Sequence, residues 1–245
     1  MQTALITGVS GGIGKAIAKK FIDEGYFVIG QYNSNEKSVL EFTAELEKQG
    51  KSDLFFSVKA DFTKPEQINQ MMDNVQKSFK SISVLVNNSG VALYKLITDT
   101  TGEDWDKLFD VNVKSTFMIT NRVLKGMISA KKGKIVNISS MWGIVGSSME
   151  VAYSASKSAI IGYTKALAKE VGPSGINVNC VCPGVIKTPM NANLSSQDML
   201  DLADQTPLGR IGTPEEVSEL VYFLSSDKAD FITGQIISCD GGFAL

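Results

Sequence analysis

The 245-residue chain contains no histidine. That absence excludes hydrolysis by Ser-His-Asp or Cys-His arrangements and removes the commonest transition-metal ligand, so no metal site is expected. Cysteine is scarce. Cys180, Cys182 and Cys239 are the three present, an odd number, and the first two stand one residue apart in an apolar run. They read as core packing in a reducing compartment, not as a disulfide framework. No stretch approaches the ~20 apolar residues that span a bilayer, and no basic segment followed by a long apolar run opens the chain. A cytoplasmic protein with no membrane partner is expected. Neither sign of charge prevails: 24 basic residues stand against 26 acidic ones, a formal charge of −2. No overall field therefore draws nucleic acid, and an anionic ligand has to be held locally.

What the chain does have is a regular alternation of short β-compatible runs and helical stretches, with 43% hydrophobic residues to fill a core. Strands are expected at Thr3–Thr7, Tyr26–Gln31, Leu54–Lys59, Ser83–Val86, Gly133–Ile138, Ile176–Cys182 and Gln235–Ser238. Helices are expected at Lys15–Glu24, Glu36–Gln49, Pro65–Phe79, Glu103–Ala130, Tyr153–Val171 and from the Thr213-Pro214 cap to Leu224. Strict alternation predicts an α/β fold: one doubly wound, seven-stranded parallel sheet with helices on both faces. No linker or repeat interrupts it, so a single domain over residues 1–245 is expected. Residues 188–210 are irregular or loosely helical, hold Leu194, Met199 and Leu202, and read as a substrate lid.

The first strand runs into Gly8-Val9-Ser10-Gly11-Gly12-Ile13-Gly14 and then a helix. Glycines 8, 12 and 14 suit a turn where backbone approaches a ligand closely, and the helix N-terminus offers free N–H groups to a phosphate. A dinucleotide pyrophosphate fits; another phosphate compound, or a turn without a ligand, also fits this spacing. The second strand ends in Gln31-Tyr32-Asn33-Ser34-Asn35, with no acid to bond an adenosine ribose. A neutral end there admits a 2′-phosphate, which favours NADP(H) over NAD(H), with Asn33, Ser34 or Lys37 as its partners. Asp61 and Phe62 either bracket an adenine or begin the next turn. Asn87-Asn88-Ser89-Gly90 closes the fourth strand, where asparagines tie strands together or touch a ribose. Asn112, polar among Val111, Val113 and Phe117, either holds a carbonyl and a water or is a satisfied core residue.

Tyr153 and Lys157 are four apart on a helix and share a face. A cation near the phenol lowers its pKa toward the working range, which makes Tyr153 a candidate acid/base. The loop Met141-Trp142-Gly143-Ile144-Val145-Gly146 before it reads as a substrate wall or as a packing surface.

Thr7-Gly8-x-x-x-Gly12-x-Gly14, Asn87-Asn88-Ser89-Gly90, Asn112, Ser140, Tyr153-x-x-x-Lys157 and Pro183-Gly184 occur in the order and spacing of the short-chain dehydrogenase/reductase family, which this chain resembles along essentially its whole length. Pro207-Leu208-Gly209-Arg210, Thr233-Gly234 and Asp240-Gly241-Gly242 look like the branch that reduces 3-oxoacyl groups on acyl carrier protein. The resemblance implies a Rossmann-type fold and hydride transfer between a nicotinamide and a carbonyl carbon. Tyr153 would protonate the carbonyl oxygen and Ser140 would hold it. Lys157 would bond the nicotinamide ribose, Asn112 would support a water chain, and Ile186 and Thr188 would contact the nicotinamide end beside Pro183 and Gly184. It also implies a homotetramer with the Tyr153 and Glu103 helices as interface elements. The pattern departs at Ser89, where alanine is usual. It departs again where basic residues would meet a carrier: Lys131, Lys132 and Lys134 are present, but Pro173-Ser174-Gly175 replaces a second arginine. A paralogue acting on another carbonyl or alcohol, or a non-catalytic nucleotide sensor, is the alternative.

Overall fold

The computed structural model describes residues 1–79, 81–191 and 195–244; Leu194 of the expected lid lies outside them. The strands are β1 (Thr3–Thr7), β2 (Phe27–Tyr32), β3 (Phe55–Lys59), β4 (Val84–Asn87), β5 (Gly133–Ile138), β6 (Ile176–Pro183) and β7 (Ile236–Cys239). All pair in parallel, in the order β3-β2-β1-β4-β5-β6-β7. The order reverses between β1 and β4, and a doubly wound sheet opens its ligand crevice at the carboxyl ends of such strands.

Period-two alternation divides each strand between two cores. In β1, Ala4 and Ile6 face one layer, with Phe21 and Ile22 of helix α1 (Gly12–Asp23), Phe42 of α2 (Glu36–Lys48) and Val221 of α9 (Pro214–Ser225). Leu5 faces the other, with Met72 of α3 (Pro65–Ser78), Ile119 of α5 (Ser115–Ala130) and Leu167 of α7 (Val151–Val171). Every strand therefore has apolar residues on both faces, as a sheet covered on both sides requires. The Rossmann-type architecture expected from the alternation is present.

Three segments refine the sequence expectation. The run expected as one helix over Glu103–Ala130 is α4 (Gly102–Phe109), a π-helical turn over Asp110–Lys114, and α5. The turn shifts the register just where Asn112 sits. The loop after β5 contains a short helix α6 (Trp142–Val145), and the lid region a helix α8 (Ser196–Asp204) with a Ser195–Asp198 capping box.

Candidate active site

The turn from β1 into α1 is built for close approach. Gly8 has φ +76°, the left-handed region that favours glycine, and a Cβ on Gly14 would stand 2.2 Å from the Gly8 carbonyl. Asn88 Nδ2 donates to the Thr7 carbonyl at 2.9 Å, and Thr7 Oγ1 accepts the N–H groups of Asn88 and Ser89, both at 2.9 Å. The N-terminus of α1 has no side-chain cap, which leaves its first N–H groups, beginning at Gly12 and Ile13, for an anion. Ser10 holds one side of the turn, its carbonyl accepting from Ser38 Oγ at 3.2 Å, and Gly11 is exposed. A Cβ on Gly12 would lie 2.8 Å from Thr188 Cγ2, so the phosphate end and the Pro183–Thr188 loop meet here. An uncapped helix start behind a cradle that Cβ atoms would fill fits a nucleotide diphosphate.

At the carboxyl ends of β4 and β5 the four expected catalytic residues converge. Asn112 is buried. Its Oδ1 accepts the Val91 N–H at 2.8 Å, and its Nδ2 donates to the Val91 carbonyl at 3.0 Å and to Ser156 Oγ at 3.0 Å. Lys157 Nζ donates to the Ile138 carbonyl at 3.0 Å and lies 5.7 Å from the centre of the Tyr153 ring. A Cβ on Gly90 would stand 3.1 Å from Lys157 Nζ and 3.4 Å from Asn112 Oδ1, so glycine is what allows the loop after β4 to approach the pair. Ser140 Oγ accepts the Trp142 N–H at 3.2 Å, and the hydroxyl lies on the Tyr153 side of the site, where its influence favours the ionised phenol.

The electrostatics correct one expectation. Burial pushes the Tyr153 phenol upward, against the smaller opposing influence of the Ser140 hydroxyl. The same burial lowers Lys157 to about 8. Desolvation disfavours both charges, and it outweighs the lowering of the phenol expected from Lys157. At neutral pH the phenol holds its proton, as a donor to a carbonyl oxygen must.

The other residues expected at the nucleotide divide into two groups. Asn33 and Ser34 are exposed beyond β2, Gly90 and Gly184 are half-buried, and Pro183 and Ile186 are buried, Ile186 within the core that holds Ile6 and Val181. Asn87 faces inward, donating to Thr120 Oγ1 at 3.1 Å and Asn137 Oδ1 at 2.8 Å, so it ties the sheet together. Asp61 Oδ1 accepts from the N–H and hydroxyl of Thr63 at 3.0 and 2.8 Å. Burial raises its carboxyl, but those two bonds together hold it below the ordinary range. The Phe62 side chain belongs to the lower core and not to the cleft. Lys131, Lys132 and Lys134 gather at the amino end of β5, the opposite edge of the sheet, where Lys132 pairs with Asp227 at 3.0 Å and Lys134 with Asp230 at 2.5 Å.

With this geometry established, comparison with known proteins is decisive. Residues 8–244 match the family profile described as enoyl-(acyl carrier protein) reductase. The chain is 39% identical to the 3-oxoacyl-[acyl-carrier-protein] reductase of Thermotoga maritima, covering 100% of this chain and 98% of the relative. The chain belongs to the short-chain dehydrogenase/reductase family. It is also 39% identical to an uncharacterized oxidoreductase of Bacillus subtilis, over 99% of this chain and 98% of that one. The crystal structure of an Agrobacterium tumefaciens protein described as a candidate gluconate dehydrogenase superposes with a TM-score of 0.93 at 31% identity, covering 99% of this chain and 96% of the other. Membership makes the chain an oxidoreductase that uses a nicotinamide cofactor.

Within this short-chain dehydrogenase/reductase, several supporting residues escaped the sequence reading. Ser139 Oγ donates to the Lys157 carbonyl at 2.8 Å. Ser156, besides accepting from Asn112, donates to the Tyr153 carbonyl at 2.7 Å. Glu150, one turn before Tyr153, is half-buried, and burial raises its carboxyl; its charge also raises the phenol. Only their spacing from Tyr153 along α7 could have drawn attention to Ser156 and Glu150.

Proposed function

We propose that this protein is an NADPH-dependent ketoreductase that converts a 3-oxoacyl thioester, free or on an acyl carrier protein, into the 3-hydroxyacyl thioester. The observation that carries this reading is the convergence of Asn112, Ser140, Tyr153 and Lys157 beside the uncapped glycine turn. The nicotinamide supplies the hydride. Ser140 holds the carbonyl oxygen, Tyr153 donates its phenolic proton to it, and Lys157 stands behind the phenol to bond the ribose. Asn112, bonded to both backbone groups of Val91, supports a water that restores the proton. NADPH is favoured over NADH by the exposed neutral pair Asn33 and Ser34 and the absence of an acid at the end of β2. The same reading takes residues 1–245 as one catalytic domain, cytoplasmic, assembled as a homotetramer through α5 and α7. The exposed Phe117 and Val151 on those helices suit an interface.

A second reading, dehydrogenation of a hydroxy acid, is favoured by the likeness to the candidate gluconate dehydrogenase. The test is oxidation of NADPH and NADH with acetoacetyl thioester, beside reduction of NADP and NAD with gluconate. Turnover of the thioester with NADPH is the expected result; turnover with gluconate alone would replace the first reading by the second.

A further inference from the structure

One buried amide at the end of β2 is bonded to three strand ends at once. Gln31 is 2% exposed. Its Oε1 accepts the Gly8 N–H at 3.1 Å and the Ser89 hydroxyl at 2.9 Å, and its Nε2 donates to the Ala60 carbonyl at 2.8 Å. Its main-chain carbonyl accepts the N–H groups of Gly8 and Val9, both at 2.9 Å. The turn after β1, the end of β3 before Asp61 and the end of β4 before Gly90 are thus joined through a single side chain. Those three segments frame the space above the β1/β4 switch point where the adenosine half of a dinucleotide is held.

Ser89 completes the arrangement. Its hydroxyl goes to Gln31 and its N–H to Thr7 Oγ1, so neither group is left for a ligand. An alanine at this position would remove one of the two donors to Gln31 Oε1. The remaining donor, the Gly8 N–H, is shared with the Gln31 carbonyl, and the side chain would then be held by Ala60 and a divided bond.

We propose that Ser89 and Gln31 are a coupled pair of positioning residues that hold the glycine turn in the shape required by the adenosine-diphosphate half of the nucleotide. The proposal rests on the nucleotide-binding part of the reading above. A turn already held in its bound shape spends less binding energy on ordering, so the pair acts on nucleotide affinity and not on the chemical step.

The test is a double-mutant cycle of Ser89→Ala, Gln31→Met and the double variant, with 2′-phospho-ADP-ribose and ADP-ribose titrated calorimetrically and melting temperatures taken without ligand. Ser89→Ala is expected to weaken binding about fivefold, the size of one neutral hydrogen bond, and Gln31→Met, which also removes the bonds to Gly8 and Ala60, by at least as much. The double variant should bind no more weakly than Gln31→Met, and kcat at saturating nucleotide should not change. Ser89→Ala, which removes one hydroxyl from a folded loop, keeps the test decisive if Gln31→Met does not fold. Wild-type affinity in Ser89→Ala overturns the proposal, as does a double variant whose loss equals the product of the single losses. A wild-type protein that binds neither probe overturns the nucleotide reading itself, and the pair with it.

Discussion

Asn112 Nδ2 donates to Ser156 Oγ at 3.0 Å, and through that hydroxyl the π-helical turn is tied to the helix that carries Tyr153. A π turn inserts one extra residue into a helix and is frequent at functional sites. Here it turns the Asn112 amide toward α7 and the Val91 backbone. Ser156→Ala leaves a buried amide hydrogen without its acceptor, a cost of about 1–3 kcal/mol. The expected outcome is a lower melting temperature and a kcat reduced about tenfold, equivalent to ~1.4 kcal/mol, with nucleotide affinity unchanged. Steady-state kinetics beside a nucleotide titration check this; an unchanged kcat would separate Ser156 from the site.

Burial holds Lys157 at about 8, below its ordinary 10.5. Between those values the unfolded chain binds more protons than the folded one. This group's contribution to stability therefore rises with pH across that window, and its full cost is present below about pH 8. Lys157→Met removes the titration. The stability of the variant relative to wild type is expected to fall by ~2 kcal/mol between pH 7 and pH 10, measured by urea denaturation at both values. A difference independent of pH would show that Lys157 titrates normally.

Gly90, in the loop after β4, is where the backbone comes closest to Lys157. A methyl group there would stand 3.1 Å from Lys157 Nζ, tighter than a lysine held to the Ile138 carbonyl can accept without moving. Gly90→Ala is expected to fold, with unchanged circular dichroism, and to lose at least about tenfold in kcat through displacement of the lysine. Kinetics within twofold of wild type would mean that Lys157 relaxes without consequence.

Lys134 is buried while its partner Asp230 is mostly exposed, and both lie at the edge of the sheet opposite the site. Asp230→Ala leaves the ammonium with Asn177 Oδ1 alone, 3.0 Å away. The expected loss is about 1–3 kcal/mol in stability with kcat unchanged, read by denaturation and assay of the same sample. A changed kcat would show that the two edges communicate.

The sheet was legible because each strand is a compact apolar run bounded by turn residues, and alternation with helices leaves few topologies. Alone, only the four-residue spacing of Tyr153 and Lys157 pointed to a site; as a set, Asn112, Ser140, Tyr153 and Lys157 were legible through the resemblance to the family, whose order and spacing they keep. The π turn was not, since one extra residue leaves the apolar pattern around Val111 and Phe117 readable as a continuous helix. Nor was the Ser89–Gln31 bond, which joins residues from different strands. Ser89 stands where alanine is usual in the family, and its hydroxyl meets Gln31 at 2.9 Å. The direction of the phenol shift depends on how deeply Tyr153 is buried, which spacing alone does not report.

In the proposed reaction Tyr153 donates the proton, and Tyr153→Phe removes that proton while keeping the ring in place. Stopped-flow turnover of the thioester with NADPH, paired with a nucleotide titration, tests it most directly. The expected result is a loss of about 10³-fold in turnover, within the range for a general acid, with nucleotide affinity within twofold of wild type. Turnover retained to within tenfold would contradict it and place the acid elsewhere.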